Sequence, residues 1–553
     1  MSDVEDLAGR LFRLTLERDP IEGSQLGFDW CEGLLPDLSS GAERRWTEQV
    51  RQMQRELDGI VPRPDDPFTV PLIRADLVAL EGDLAAGWSD FTVDATFVGP
   101  SVQLLSVLPK AQLDTPERVE NYLQRLAQVP VYLGQAVERL RSGTAQGRTA
   151  TRCGIEATVR QIDAYLSTGR GSDPFVVEPT IAEALATGAR ARIADQVEAF
   201  ARPALRDYQE ALSTQFRPTA RPDDLVGLGR LPGGPELYAA ALRRHSSTDL
   251  TPDQVHAIGL AAIEALGQEV SRIGAEQLGT SSPRDVFTTV RERRDLRFDD
   301  PEEMVRHCRA AMDRAEERLS EVTSLLPDRP CRLEVMNEAE SQTGTLGYYQ
   351  PPGADDGPSG AFWLNTGDAP SRPRYEYEAL TFHESVPGHH VEVSGAQQLT
   401  ELPEFRRFGN IGAYSEGWAL YTERLCDEMG LYGSELDRLG MLSFALWRAC
   451  RLVVDTGIHH LGWGRAQAVT FLHENTGLSR GNVINEVDRY IAWPGQATGY
   501  YLGYEWIRRA RAEAADRDGA AFDLRAFHDQ FLGHGPMPLA VLAQVFDPGR
   551  PGG

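Results

Sequence analysis

The chain has very little lysine, and its positive charge comes almost entirely from arginine. Lys110 is its one lysine, and 56 basic side chains face 82 acidic ones, which gives a formal net charge of −26 at pH 7. Nucleic-acid binding needs clustered basic residues that neutralise phosphates, and the sequence has no such basic patch. The composition therefore predicts no nucleic-acid partner, and it does not indicate a substrate.

Long apolar runs and closely paired cysteines are also missing. No run of about 18 apolar residues exists, so the sequence predicts no membrane-spanning helix. The six cysteines are scattered and never form a C-x-x-C pair, which favours reduced thiols over a disulfide framework. The first residues, Met1 to Asp6, lack the basic and apolar stretches of a signal peptide. Together these features predict a cytoplasmic protein.

Most of the chain has the hydrophobic period of an α-helix. Thr115 and Thr251 each precede helix-start residues and then apolar residues three and four positions apart. Further helices are predicted at residues 40–58, 70–86, 176–215, 302–324 and 436–475. The Pro- and Gly-rich segment 217–235 predicts a loop or a lobe boundary. The length of 553 residues alone suggests three or four domains, whereas the continuous helical pattern favours fewer, larger lobes.

A second interruption of the helical pattern lies between residues 331 and 366. Short β-prone runs occur at 332–335, 346–349 and 361–365. Two interpretations remain open: a small sheet that only covers the core, or an edge strand that lines a cleft and binds an extended peptide. On the second interpretation, Tyr349 and Asn365 are predicted to bind substrate.

Residues 382–392 read F-H-E-S-V-P-G-H-H-V-E and carry the strongest chemical signal. In a zincin, two histidines at i and i+4 of one helix hold Zn²⁺, and the glutamate after the first acts as general base. Here i+4 is a proline, and His389 and His390 lie about 9 and 10.5 Å from His383 along an ideal helix. A shared metal therefore requires the V-P-G segment to distort the helix. With that distortion, Glu384 is the predicted base, and either His389 or His390 is the second ligand.

Two downstream segments supply further candidate groups. Glu416 lies in the apolar sequence G-A-Y-S-E-G-W-A-L-Y, where a buried carboxylate would be a third zinc ligand or a salt-bridge partner. The segment D-R-Y-I-A-W-P-G-Q-A-T-G-Y-Y-L-G-Y contains Tyr500, Tyr501 and Tyr504, which are candidate oxyanion donors or packing residues. Arg489 in the same segment would pair with a substrate carboxylate or with a neighbouring acidic residue.

One predicted helical face carries a candidate supporting network, formed by Arg448, Arg451, Asp455 and His459 at spacings of three and four. This pattern suits groups that orient metal ligands or serve as alternative ligands. It suits a structural ion-pair ladder equally well.

The chain resembles a known family in four ordered motifs, F-H-E-S-V-P-G-H-H, A-Y-S-E-G-W-A-L-Y, R-L-V-V-D-T-G-I-H and R-Y-I-A-W-P-G-Q-A-T-G-Y. The family is the large bacterial one catalogued as domain of unknown function 885, and the likeness covers nearly the whole chain. That family is similar to the helical gluzincin peptidases, such as thermostable carboxypeptidase, thimet oligopeptidase and angiotensin-converting enzyme. The resemblance implies one family domain over 1–553, mainly α, with lobes 1–230 and 231–553 around a deep channel.

The resemblance also implies roles for individual residues. Gly388-His389 resembles the end of the gluzincin H-E-x-G-H motif, which makes His389 the preferred second ligand and leaves His390 as the alternative. Glu416 matches the downstream glutamate ligand, and Tyr500 resembles the tyrosine that donates to the oxyanion. These residues would be supported by a metal helix over 378–395, a small sheet over 331–366, and a substrate-binding edge strand over 361–365.

The leading hypothesis is a hydrolase that cleaves amide bonds of short peptides or small acyl-amino compounds, using metal-bound water activated by Glu384. One Zn²⁺ ion would be held by His383, His389 and Glu416. The Pro-Gly insertion motivates an alternative, a non-catalytic peptide-binding protein with a degenerate metal site. A biosynthetic metallohydrolase with a specialised amide substrate is another. Arg489 would suit a substrate carboxylate, Glu338 or Glu340 would suit an amine, and no oligomeric state is predicted.

Overall fold

The structure is a computed structural model that describes residues 3–62, 66–337, 341, 345–353 and 359–546. Helices contain 72% of the residues and strands 4%, so the predicted mainly α class with a small sheet is confirmed. Within the described residues, no helix is both long and apolar enough to cross a bilayer. Glu338 and Glu340, the candidate partners of a substrate amine, lie outside the described residues.

The described helices of six or more residues are numbered here in chain order. They are α1 Asp3–Arg18, α2 Pro20–Gln25, α3 Ser40–Leu57, α4 Thr69–Ala86, α5 Pro116–Ala145, α6 Arg152–Leu166, α7 Glu183–Gln196, α8 Arg202–Ala211, α9 Gly234–Ser246, α10 Pro252–Leu278, α11 Pro283–Glu292, α12 Pro301–Arg318, α13 Tyr377–Glu384, α14 His389–Gln398, α15 Gly412–Glu428, α16 Glu435–His459, α17 Arg465–Asn475, α18 Arg480–Ala492, α19 Gly499–Asp518, α20 Leu524–Leu532 and α21 Leu539–Phe546.

The chain forms two compact units. The first comprises Met1–Tyr238, Ile458–Ala466 and Asn485–Trp493. The second comprises Ala239–Gly457, Gln467–Ile484 and Pro494–Gly553.

The first unit is built around helix α5, whose apolar face belongs to a large buried core. The side chain of Thr115 accepts a hydrogen bond from the backbone N–H of Arg118, and Pro116 occupies the first turn. The predicted helix start at Thr115 is therefore confirmed. Two short strands, β1 Gln112–Leu113 and β2 Thr180–Ile181, pair in parallel in this unit.

The second unit contains the sequence motifs of the predicted metal site. Helix α10 begins at the predicted signal, where Thr251 and Gln254 form a reciprocal capping box. Helix α15 is central to the site, because it packs against α13, α14 and α19.

The second unit also contains a three-stranded sheet, formed by β3 Arg332–Val335, β4 Gly347–Gln350 and β5 Ala361–Leu364. The three β-prone runs are thus confirmed as strands. Strand β5 lies in the middle, parallel to β3 and antiparallel to β4, so both of its sides are occupied by ladder hydrogen bonds. The prediction that 361–365 is an edge strand is therefore wrong, because its backbone has no free side for a peptide.

Candidate metal centre

The two histidines expected to share a metal lie on different helices. Helix α13 ends at Glu384, and α14 begins at His389 after the non-helical residues 385–388. The imidazole centroids of His383 and His389 are 4.9 Å apart, with the ring planes at 90°. The predicted single helix over 378–395 is therefore wrong, and the interruption brings together side chains that an unbroken helix would hold about 9 Å apart.

Gly388 makes this close approach sterically feasible. A Cβ atom at this position would lie 2.0 Å from the carbonyl oxygen of His383, so no side chain fits there. The carbonyl of Pro387 accepts a hydrogen bond from Trp418 Nε1 at 3.0 Å, which ties the segment to helix α15. The V-P-G insertion therefore coincides with the distortion that a shared metal requires.

Glu416 on helix α15 completes a three-residue cluster. Its Oε2 atom lies 3.4 Å from His383 Nε2 and 3.6 Å from His389 Nε2. The three potential ligand atoms all lie within 4.8 Å of one another, and in the described part of the chain this is the single such group of His, Cys, Asp or Glu residues. Glu416 Oε2 is buried and has no hydrogen-bond partner among the described atoms, which fits a role as a metal ligand.

The sequence interpretation missed Glu423, which orients His383. Glu423 is fully buried, and its Oε1 atom accepts a hydrogen bond from His383 Nδ1 at 2.9 Å. This bond occupies Nδ1 and leaves the Nε2 atom of His383 facing Glu416. Glu423 follows Glu416 by seven residues, two turns of helix α15, and this spacing is the signal that could have identified it.

His389 is oriented by a chain of hydrogen bonds through Ser415 to Glu392. Its Nδ1 atom lies 3.4 Å from Ser415 Oγ, and the Ser415 hydroxyl donates to Glu392 Oε2 at 2.6 Å. Because the hydroxyl is a donor to Glu392, it accepts from His389, and the Nε2 lone pair of His389 is left for the cluster. The Tyr349 ring also stacks on His389, with centroids 6.3 Å apart.

The electrostatics of the cluster favour a cation. Burial opposes a charge on His383, but the nearby Glu416 carboxylate and the hydrogen bond with Glu423 outweigh burial and raise its pKa to about 9. Burial also opposes ionisation of Glu416, yet interactions with His383 and His389 hold its pKa well below the usual range. Both pKa shifts indicate that the Glu416 carboxylate stabilises positive charge beside it.

Glu384 is the last residue of helix α13 and is half-buried beside the cluster. Burial raises its pKa, and the neighbouring Glu416 adds to this effect, while His383 and His389 lower it. A carboxylate whose pKa is raised is better suited to take up a proton.

His390 has a different environment from His389. His390 is buried, its Nδ1 atom lies 3.0 Å from Tyr349 Oη, and its Nε2 atom lies 3.0 Å from the carbonyl oxygen of Arg329. Burial lowers its pKa to about 4. Both ring nitrogens are thus used in structural hydrogen bonds, and the geometry brings His389 rather than His390 to Glu416.

Tyr349 and Asn365, predicted to bind substrate, are placed differently by the structure. The Tyr349 hydroxyl contacts His390 and Ser394, so Tyr349 supports the start of helix α14. Asn365 is fully buried, and its side-chain amide donates to the carbonyls of Ser341 and Thr345. Its side-chain oxygen accepts from the N–H two residues onward. Asn365 therefore organises the backbone, and its polar atoms are not available to a substrate.

Asp455 and His459 also make structural contacts. Both carboxylate oxygens of Asp455 accept from the N–H of Gly495 at 3.1 Å, which fixes the turn before helix α19. In the first unit, His459 Nδ1 accepts from the N–H of Leu228, and its Nε2 donates to the carbonyl of Tyr490. Burial lowers the pKa of His459 to about 3. The suggestion that His459 is an alternative ligand is wrong, because both of its nitrogens bond to backbone groups.

Arg489, the predicted partner of a substrate carboxylate, lies in the first unit. Its guanidinium nitrogen Nη1 is 3.5 Å from Glu486 Oε1, and its guanidinium carbon is 4.3 Å from the centroid of the Phe97 ring. Of the two roles suggested by the sequence, these contacts match the second, in which Arg489 pairs with a neighbouring acidic residue.

Tyr500 lies near the start of helix α19, which crosses α15 at very short range. A Cβ atom on Gly417 would lie 2.6 Å from the backbone of Gly503, and one on Gly503 would lie 1.9 Å from the carbonyl oxygen of Ala413. The two helix backbones therefore touch at Gly417, one residue after Glu416, and at Gly503, three residues after Tyr500. Arg451 covers the Tyr500 ring at 4.2 Å.

The second unit also contains a cavity of about 530 Å³ that is separate from the histidine cluster. Its lining includes Glu303, His307, Arg374 and Asp437 and none of the candidate ligands.

The sequence matches the family described as bacterial protein of unknown function (DUF885) over residues 20–545. The chain belongs to the DUF885 family. The match spans nearly the whole chain and confirms the family resemblance seen in the four motifs. No curated protein matches this DUF885 member significantly.

Two solved structures share the fold of this DUF885 protein. One is described as "the putative lipoprotein from Colwellia psychrerythraea"; it has a TM-score of 0.91, is 24% identical, and 98% of each chain is covered. The other is described as "a putative lipoprotein of unknown function from Shewanella oneidensis"; it has a TM-score of 0.76, is 19% identical, and 99% of this chain and 100% of that chain are covered. At these identities the likeness establishes the fold alone.

Proposed function

We propose that this protein is a zinc-dependent hydrolase that cleaves amide bonds in short peptides or small acyl-amino compounds. The observation that carries the proposal is the convergence of His383, His389 and Glu416, with the Nδ1 atom of each histidine engaged elsewhere. Two imidazoles and one carboxylate, with a fourth position left for water or substrate, form a common catalytic zinc site. The orphaned Glu416 Oε2 atom fits such an ion.

The chain's own residues would divide the proton transfers. When bound, zinc supplies Lewis acidity, which polarises a carbonyl and makes water more acidic. Glu384 would accept the proton of the attacking water on its carboxylate and return it to the leaving amine. Its raised pKa supports this role, because a raised pKa makes the carboxylate a stronger base than an ordinary glutamate.

Tyr500 would donate its hydroxyl hydrogen to the oxygen on which negative charge develops. Two contacts support this assignment: the helix crossing at Gly503 fixes its backbone near Glu416, and Arg451 packs on its ring. The proposal includes a gluzincin-like fold with two lobes and a channel that admits short chains, and a cytoplasmic location. The mainly α fold, with a small sheet ahead of helices α13 and α14, supports the first of these.

The test combines metal analysis with hydrolysis. Zinc would be quantified in the purified protein, and cleavage of a library of dipeptides, oligopeptides and acyl-amino acids would be followed by mass spectrometry. Glu384→Gln should retain zinc but lose about 10²–10⁴-fold in kcat, the typical contribution of a general base. Glu505→Gln is the matched control, because Glu505 pairs with Arg508 on the surface and should change neither quantity.

Full activity of Glu384→Gln would contradict the mechanism. A wild-type protein that holds zinc and binds peptides but cleaves no member of the library would contradict the hydrolase proposal. That result would instead favour the non-catalytic peptide-binding alternative.

A further inference from the structure

Helix α16 carries a buried arginine, Arg448, with unsatisfied hydrogen-bond donors. Arg448 is 5% exposed, and its Nε and Nη1 atoms have no hydrogen-bond partner among the described atoms. Buried arginines are almost always paired, because an unsatisfied charged donor is costly to bury. A group from outside the chain would satisfy these donors.

The guanidinium of Arg448 is held flat by aromatic rings. Its central carbon lies 4.6 Å from the ring centroids of both Phe444 and Trp447. The Trp447 ring also contacts Arg451, at 4.4 Å, and Arg451 covers the Tyr500 ring. These five residues form an arginine–aromatic stack, in which Arg448 loses little further conformational freedom when it binds a ligand.

Arg448 is near enough to the proposed catalytic residues to interact with them electrostatically. Arg448 interacts electrostatically with Glu423, Tyr500 and Glu416. It interacts in the same way with the proposed base Glu384. In the described structure no ion pair or hydrogen bond joins Arg448 to Glu384, Glu416 or Glu423, so these carboxylates do not satisfy its Nε and Nη1 donors.

The unsatisfied donors of Arg448 favour an anionic ligand group. Its buried guanidinium presents a positive charge together with two N–H donors, at Nε and Nη1, that have no partner among the described atoms. Low-dielectric surroundings strengthen the attraction of such a site for an anion. A carboxylate is the anionic group that every peptide and acyl-amino acid carries at its C-terminus, and guanidinium donors match it well.

We propose that Arg448 binds the C-terminal carboxylate of the substrate, so that the enzyme releases the C-terminal amino acid of short peptides and acyl-amino acids. This inference rests on the proposed function, because Arg448 lies close to Glu384 and would hold that carboxylate beside the cleaved bond. It gives Arg448 the role that the sequence suggested for Arg489, whose guanidinium instead contacts Glu486 and Phe97.

The test compares two substrates that differ only in the terminal charge, N-benzoylglycyl-phenylalanine and its C-terminal amide. Wild type should prefer the acid. Arg448→Gln should lower kcat/KM for the acid by about 100-fold or more, since one buried charged partner is lost, and should lower kcat/KM for the amide much less. Arg448→Lys should recover part of the loss. Arg424→Gln is the matched control, because Arg424 is an arginine whose charge is already paired, with Glu269 and Asp427, and its loss should leave the preference unchanged.

Equal losses for acid and amide in Arg448→Gln would overturn the proposal, since Arg448 would then act on the reaction or the fold and not on the carboxylate. A wild-type preference for the amide would overturn it too.

Calorimetry separates this inference from the hydrolase proposal. Zinc-loaded Glu384→Gln, in which cleavage is suppressed, would be titrated with the same acid and amide. Tighter binding of the acid, abolished by adding Arg448→Gln, would support the carboxylate site even if wild type cleaved neither compound. Equal binding of acid and amide would overturn the carboxylate site, even if wild type proved to be an active hydrolase.

Discussion

Replacing Gly503 with alanine tests whether the helix crossing positions the metal cluster. The added Cβ atom would lie 1.9 Å from the carbonyl oxygen of Ala413, and real Cβ atoms essentially never come closer than 3.0 Å to such an atom. Helices α15 and α19 must therefore separate by at least about 1 Å at this point. Glu416 is adjacent to Gly417 at the crossing, so the movement would shift it relative to His383 and His389.

Two consequences should follow from Gly503→Ala. The free energy of unfolding should fall by about 1–3 kcal/mol or more, the usual cost of overpacking a tight interior. The hydrolysis rate should fall about 10²-fold, because a 1 Å misplacement of catalytic groups is known to cost roughly that much. Both would be measured on the zinc-loaded protein, by thermal denaturation and by cleavage of the best library substrate.

Gly395→Ala is the matched control on helix α14. A Cβ atom at Gly395 would meet no atom within 4 Å, so the same substitution there adds a methyl group without a clash. Alanine is favoured over glycine in a helix interior by about 0.5–1 kcal/mol, so this variant should be slightly stabilised and fully active. If Gly503→Ala matched Gly395→Ala in both stability and activity, the reasoning about the crossing would be refuted.

Two further predictions follow from individual contacts. His389→Asn should lose most of its bound zinc, whereas His390→Asn should keep about one ion per chain, because only His389 faces Glu416. Elemental analysis of the purified variants measures this, and zinc loss in His390→Asn alone would contradict the ligand assignment. Burial raises the pKa of Glu376 to about 7 from 4.5, so the stability it contributes is present below about pH 4.5 and lost as the pH rises through 7. Glu376→Gln should therefore raise Tm relative to wild type more at pH 8 than at pH 5, and an equal difference at both pH values would argue against a shifted pKa.

Features encoded within a few neighbouring residues could be predicted from the sequence. The starts of helices α5 and α10 depend on Thr115 and Thr251, whose side chains accept hydrogen bonds three residues onward. The order of the strands depends on pairing between distant segments, so the central position of β5 could not be derived from its composition.

The candidate ligands were recognisable by residue type, but the choice between His389 and His390 needed tertiary structure. His390 is excluded from the cluster by Tyr349 and by the carbonyl of Arg329, which are distant in sequence. Glu423 escaped notice for the same reason: in the local sequence T-E-R it looks like a surface residue, and its burial arises only because helix α13 packs on α15.

The motif residues divide into those that could bind an ion and those that set the distance between helices. Gly388, Gly417 and Gly503 carry no chemistry, yet each occupies a point where a methyl group would overlap backbone atoms. Gly388 precedes His389, and Gly417 follows Glu416, so each candidate ligand sits next to the contact that fixes its helix. A side chain displaced by about 1 Å loses most of its contribution to a site that depends on precise geometry. Conditions that loosen these helix contacts should therefore weaken zinc binding before they unfold the protein.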